Sequence, residues 1–370
     1  MSCLTPSIAI ISYYTANNQK IENHMSINIM SWNIENLGAK KLGYNLKYNS
    51  KIRVNPGNLV FEYFCNYVAS IIFYEDIDIL GIMEVRGNFG NHLGHGIVES
   101  IKNNFGLDAY DSFASQQSND KRKEQYLFIW KKEIQVDKNL FTSAPINVLD
   151  GKEMHYFPLL RDRGPFMGIF GLPYSGDIIQ LPIVMFHARG PGSIPEAGNE
   201  LLAYIGNLYP DLFPHGALVM GDFNISPSPI KSRNRAAIRS FQLLSENIDM
   251  DAQITGRNKN IHPLTSLKPV RFDPQDDIDS IFSKDFDNFY FRLNVPHTRI
   301  LGSMENMLLR SIPNSGIYNH EIDQNFCTYL CTRYRNSPTI ISAIYSDLRS
   351  LFSDWRRNIS DHMPVILRIE

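Results

Sequence analysis

The chain has 370 residues, 43% apolar and 20% charged, with 36 Lys and Arg against 38 Asp and Glu for a formal charge of −2. That composition fits a folded protein with a sizeable core and excludes collagen-like, mucin-like and mostly disordered chains. A near-neutral balance argues against holding nucleic acid by bulk cationic attraction. It leaves room for an enzyme that meets a phosphodiester through a bound metal and a few placed cations.

The four cysteines make no disulfide framework. Cys3 and Cys65 stand alone, and Cys327 and Cys331 have no second pair to complete a zinc site, so all four read as small apolar residues. No apolar run reaches the ~18–20 residues of a membrane span. Residues 4–14 are apolar but short, broken by Pro6 and Ser12, with no basic residue ahead of them. Residues 1–25 therefore read as a poorly structured leader, with Met25 as an alternative start. A cytoplasmic monomer is the default, and export without an N-terminal signal stays open.

In chain order, 27–34 reads as a strand. Residues 60–72 carry Val60, Phe61, Phe64, Val68, Ile71 and Ile72 at the three-and-four spacing of a buried helix stripe. The nearly continuous apolar run 77–85 suits a central strand covered on both faces. Further strands are expected at 126–130, 166–170, 178–187, 218–222, 278–282 and 364–369, with helices at 200–208, 236–246 and 339–355. Strands with interleaved helices and no linker predict one α/β domain over 26–370. Residues 283–338, weakly periodic, are expected to form an elaborated loop region.

Several apolar strands run into polar residues suited to metal or proton chemistry: Asn33, Glu84, His187, and Asp222 followed by Asn224. Ser360, Asp361 and His362 stand just before the closing strand. In α/β sheets functional groups gather where strands end. One such residue is ordinarily a cap or turn residue, but five endings drawn from Asn, Glu, Asp and His point to a site.

The order and wording of these pieces resemble the endonuclease/exonuclease/phosphatase superfamily, and within it the DNase I-like nucleases. The matching stretches are SWNIENLG at 31–38, IMEVR at 82–86, KEQYLF at 123–128, RGPF at 163–166, FHA at 186–188, GDFN at 221–224, IDSIF at 278–282 and SDHMPV at 360–365. The resemblance implies a four-layer α/β/β/α sandwich, two packed mixed β-sheets flanked by helices, with one active site at their shared edge. It makes Asn33, Glu84 and Asp361 the metal-site residues. Asp222 and Asn224 become the pair that orients water and contacts the scissile phosphate. His362 is implied to work with Asp279 and His187 with Glu124, while Arg163 contacts phosphate and Arg86 touches DNA.

The chemistry needs these types. Phosphodiester hydrolysis requires the phosphate neutralised, a water activated and the leaving alkoxide protonated or metal-bound. Carboxylate and amide oxygens select Mg²⁺ or Mn²⁺, with Ca²⁺ as an assisting ion. Two histidines, each held by a carboxylate, divide base and acid work near neutral pH. His92 and His95 read as part of a solvated Gly-rich loop. The basic runs Lys121–Lys123, Lys231–Arg239 and Arg356–Arg357 read as solvated faces. The expectation is a metal-dependent phosphodiesterase, foremost a DNA endonuclease. The alternatives are an enzyme acting on a lipid or inositol phosphate, and a catalytically dead binding member of the fold. No tryptophan precedes GDFN, and IDSIF stands where inositol-polyphosphate phosphatases carry a WxDRIL-type motif, which disfavours that branch.

Overall fold

The computed structural model describes residues 26–42, 56–118, 123–141, 164–174, 177–188, 214–224, 242–243, 266–267, 282–284, 286–294, 300–303, 319–335, 337–345 and 348–369. In chain order the elements are β1 (Ile27–Leu37), α1 (Pro56–Tyr74), β2 (Ile79–Arg86), α2 (Gly90–Phe105), β3 (Tyr110–Ala114), β4 (Glu124–Lys131) and β5 (Gln135–Val136). Then come β6 (Phe166–Tyr174), β7 (Asp177–His187), β8 (Gly216–Asp222), β9 (Gln242–Leu243), β10 (Ser266–Leu267), β11 (Phe282–Lys284), β12 (Asp287–Leu293) and β13 (Ile300–Ser303). Three helices, α3 (His320–Arg333), α4 (Pro338–Tyr345) and α5 (Leu348–Asn358), precede β14 (Val365–Ile369).

Two six-stranded sheets result, ordered β13-β14-β1-β2-β4-β3 and β5-β6-β7-β8-β12-β9. Each holds one parallel pair, β1 with β2 and β7 with β8, among antiparallel neighbours. Alternation along the strands builds two cores, because successive side chains point to opposite faces. On β1, Ile27 and Ile29 face the second sheet, whereas Met30, Trp32 and Ile34 face the helices. The inter-sheet core continues through Phe128, Phe170, Leu181, Ile183, Met185, Leu218, Met220, Phe289 and Leu367. The outer core of the first sheet takes Phe64 and Val68 of α1, Leu93 and Ile97 of α2, Phe326 of α3 and Trp355 of α5. Trp355 stacks on Trp32 with centroids 6.1 Å apart. Two packed mixed sheets flanked by helices are the expected sandwich. The helices expected at 200–208 and 236–246 lie outside the described residues, apart from 242–243, which form β9.

Other local expectations differ from the structure. The glycine-rich stretch after Glu84 forms α2, because Gly94 lets the helix lie close on β3 and β4. A Cβ at Gly94 would stand 2.7 Å from Ser112 Oγ and 2.9 Å from Leu127 Cδ1. His92 and His95 lie on its exposed side. The region 283–338 contains β12, β13 and α3 rather than loop alone. α3 is capped by Asn319, whose side chain accepts the Glu321 and Ile322 N–H groups, and buries Ile322, Phe326, Tyr329 and Leu330. The helix expected over 339–355 is two helices, α4 and α5. No helix of the described residues is long and apolar enough to cross a membrane. Cys65 is buried, Cys327 and Cys331 are half-buried, and none of the three is in a disulfide.

Candidate active site

The parallel pairs decide where the site forms. The C-terminal ends of β1, β2, β7 and β8 and the N-terminal ends of their antiparallel partners β4, β12 and β14 meet at one edge. Each inward-facing apolar series then ends in a polar group. Ile27 and Ile29 lead by alternation to Asn33; Ile183 and Met185 lead to His187; Leu218 and Met220 lead to Asp222. In the opposite chain direction, Trp130 and Phe128 lead to Glu124, and Phe291 and Phe289 lead to Asp287. His187, Asp222 and Asp287 form one row across the second sheet through the pairs His187↔Asp222 and Asp287↔Asp222.

Bulges aim the first sheet's contribution. The β1–β2 register passes from Asn33↔Met83 to Leu37↔Val85, and the β2–β4 register shifts between Ile82 and Val85. Glu35, Asn36 and Glu84 absorb these irregularities with φ of 43°, 53° and 61°. Bulges of this kind re-aim a side chain beside an active site. The left-handed conformation is costly for a non-glycine residue, and three occur together at this edge. Asn224, past β8, adds a fourth with φ 51°.

The side chains interlock. Asn33 Nδ2 donates to Glu84 Oε1 (3.2 Å) and Asp222 Oδ2 (2.9 Å), and the Asn36 N–H donates to Glu84 Oε2 (3.0 Å). His187 places Nδ1 3.0 Å from Glu124 Oε2 and Nε2 3.2 Å from Glu84 Oε1. His362 places Nδ1 2.6 Å from Asp287 Oδ2. The Nε2 atoms of His187 and His362 lie 3.8 and 3.7 Å from the same oxygen, Asp222 Oδ2. The Asn224 N–H donates to Asp222 Oδ1 (2.8 Å), and Asn224 Nδ2 donates to the Ala188 carbonyl (2.9 Å). Ser360 Oγ donates to the Asn33 carbonyl (2.6 Å) and accepts the His362 N–H (3.0 Å), tying the approach to β14 onto β1.

The sequence expectation pairs His362 with Asp279. In the structure the carboxylate on His362 is Asp287, at the start of β12, and Asp279 lies outside the described residues. A signal for Asp287 was present: in DNFYF it shares the alternation of Phe289 and Phe291, so it ends an inward-facing apolar series. Glu124 stands on His187, Asn33 beside Glu84, and Asn224 beside Asp222. Asp361 lies beside His362, with Oδ1 3.6 Å from its Nε2, and its Oδ2 is 3.7 Å from Arg356 Nη2. Arg86 ends β2 opposite Glu124. Arg163 lies outside the described residues.

Burial and charge act against each other here. Burial opposes the charge of His362, yet Asp287, Asp222 and Asp361 outweigh it and hold the imidazole well above its usual value. Burial likewise opposes ionisation of Glu84, but His187 and His362, with the Asn33 and Asn36 donors, hold its carboxyl low. For Asp222, burial and the Asp287 carboxylate win over the two imidazoles and push the carboxyl up.

Among the described residues, two groups of ligand atoms are compact enough for an ion, Glu84–His187–Asp222 and Asp222–Asp287–His362, each within 4.8 Å. The fit to a hard cation shows in two further oxygens. Asn36 Oδ1 and Asp361 Oδ1 are buried and accept no hydrogen bond among the described residues. A buried acceptor left unpaired is costly, and carboxylate and amide oxygens are the donors Mg²⁺ prefers.

Two packed mixed sheets sharing an acid- and histidine-lined edge are the arrangement that the motif resemblance implies. The sequence matches no family model and no curated protein. Among solved structures it is similar to truncated Caenorhabditis elegans TDP2, at 13% identity over 93% of this chain and 98% of that one, with a TM-score of 0.45. An endonuclease/exonuclease/phosphatase family protein from Bacteroides thetaiotaomicron is similar at 12% identity, over 93% and 97% of the two chains, TM-score 0.49. The mannosyl-6-phosphatase of the same organism is similar at 12% identity, over 93% and 99%, TM-score 0.48.

Proposed function

We propose that the chain is a divalent-metal-dependent phosphodiesterase of DNase I type that hydrolyses DNA, with the site residues in a single domain over 26–370. One observation carries this reading: two imidazoles, each backed by its own carboxylate, bring their Nε2 atoms to within 3.8 and 3.7 Å of the same oxygen of one buried aspartate. Phosphodiester hydrolysis removes a proton from water and delivers one to the leaving alkoxide, and two such histidines provide both positions near neutral pH.

Glu124 and Asp287 occupy the Nδ1 atoms, fix the tautomers and leave Nε2 as the reactive nitrogens. Asp222, held by Asn33 and the Asn224 N–H, would orient the attacking water. Glu84, Asp361 and the amides Asn33 and Asn36 would hold the cation, Mg²⁺ or Mn²⁺. When bound, that ion supplies charge neutralisation at the phosphate. Arg86 and Arg163 would contact the backbone of the substrate.

Incubation with supercoiled plasmid and Mg²⁺, with and without EDTA, tests the proposal. Nicking that EDTA abolishes is expected. Absence of nicking alongside release of inorganic phosphate from an inositol phosphate would move the chain to that substrate class, and inertness on both would make it a binding member of the fold.

A further inference from the structure

A cavity of about 450 Å³ lies beside the site, lined by Glu35, Asn36, Lys41, Ser353, Arg356 and Arg357. It touches the reactive edge at two places. Asn36 donates its N–H to Glu84 Oε2 (3.0 Å), and Arg356 Nη2 stands 3.7 Å from Asp361 Oδ2. Its wall thus carries three cations against the single carboxylate of Glu35.

The cations are not equivalent. Lys41 is spoken for: Nζ donates to the Glu35 carbonyl (2.8 Å) and the Ile359 carbonyl (3.1 Å), which pins its charge at the wall. Arg357 is exposed at the rim. Arg356 is the informative one. Its Nε is buried and makes no hydrogen bond among the described residues, and the Asp361 contact, at 3.7 Å, is too long to be one. A buried guanidinium N–H left unpaired is costly, and the planar donor fork of arginine matches a phosphate better than any other anion-binding side chain does. Ser353 adds a hydroxyl.

We infer that this cavity is a second phosphate subsite, holding the backbone phosphate next to the scissile one on a nucleic-acid strand. The inference rests on the phosphodiesterase reading and sharpens it. A strand presents a phosphate on either side of the bond being cut, whereas a sugar monophosphate presents nothing to this cavity.

The test uses the full chain carrying His187→Ala, with a labelled single-stranded oligonucleotide and Mg²⁺ at several salt concentrations. Adding Arg356→Gln and Arg357→Gln is expected to weaken low-salt binding about tenfold. It should also flatten the slope of log K against log[salt] by about 0.7 for each phosphate no longer neutralised. Unchanged affinity and slope would overturn the subsite. Arg357→Gln alone, at an exposed position where folding is not at risk, must show part of the loss; none would also count against it. Arginine-dependent binding of inositol hexakisphosphate with no arginine-dependent binding of the oligonucleotide would overturn the nucleic-acid assignment. Plasmid nicking is read separately. Nicking without the arginine-dependent slope refutes the subsite alone, and the slope without nicking refutes the phosphodiesterase reading alone.

Discussion

At His187 and Glu124 a single contact of 3.0 Å links two residues 63 apart in sequence. A carboxylate behind an imidazole fixes its tautomer and stabilises its protonated form, so removing it harms turnover rather than folding. Glu124→Gln and His187→Ala should each lower the rate on plasmid about 100-fold or more, with the double variant little worse than either single, as expected of residues acting as a unit. Additive losses, or near-parental turnover in Glu124→Gln, would show that the contact is structural only. Glu84 carries a separate prediction. If it helps hold the cation, Mg²⁺ at a hundred times its Kd should raise stability by about 2.7 kcal/mol. Glu84→Gln should lose most of that gain while unfolding cooperatively in EDTA. Thermal melts with and without Mg²⁺ read this, and an undiminished Mg²⁺ shift would remove Glu84 from the cation site.

The strands, not the loops, set the geometry, and their ends are where small changes act. Gly221 has φ 148°, and a Cβ there would stand 1.9 Å from the Phe186 carbonyl oxygen on the paired strand. That oxygen belongs to the backbone and cannot swing away. Gly221→Ala should therefore pry β8 from β7, moving Asp222 off His187 and destabilising by about 2 kcal/mol or more. A variant with parental stability and nicking would show that the edge tolerates the shift.

Where α3 meets α5, the Tyr334 hydroxyl donates to Asp354 Oδ1, and Asn358 Nδ2 donates to that hydroxyl (2.9 Å). Burial raises the Asp354 carboxyl above its ordinary value, against the lowering effect of Tyr334, Arg357, Asn358 and Arg333. A raised folded-state value means the folded chain holds the proton more tightly than the unfolded one. Stability from this group is then full below about pH 4 and falls as pH climbs through the folded value. Asp354→Asn keeps an acceptor for Tyr334 but cannot ionise, so its stability relative to the parent should rise between pH 4 and neutrality. Urea melts at the two pH values decide it, and a parallel pair of curves would contradict it.

Legibility in the sequence followed the same division. The strands that carry the site were readable because apolar runs ending in Asn33, Glu84, His187 and Asp222 need no partner to be seen. α2 was not, because its glycines serve close packing against β3 and β4, which local pattern cannot reveal. α3 was not, because its apolar stripe is thin and its burial comes from α1, far away in the chain. Asp287, which stands on His362, was not singled out, although the alternation in DNFYF marks it as the end of an inward-facing apolar series.

Across the whole molecule the site is the common rim of two sheets, so its spacing depends on the inter-sheet core. Phe170 is buried there, edge-on to Phe128 at 5.0 Å and to Trp130 at 6.2 Å. Phe170→Ala should cost about 3–5 kcal/mol, read as a lower urea midpoint with an unchanged slope; a loss under about 1 kcal/mol would mean the sheets close over the gap. Asn33 and Ser360, whose hydrogen bond spans 327 residues, add a consequence in time rather than space. During translation Asn33, Glu84, His187 and Asp222 all emerge from the ribosome before His362 is made. β14, which pairs with β1 and follows His362, emerges later still. Every nascent chain therefore lacks one of the two imidazoles until synthesis has passed residue 362 and that stretch has cleared the exit tunnel. The order of synthesis alone therefore delays assembly of the two-histidine edge until His362 has left the ribosome.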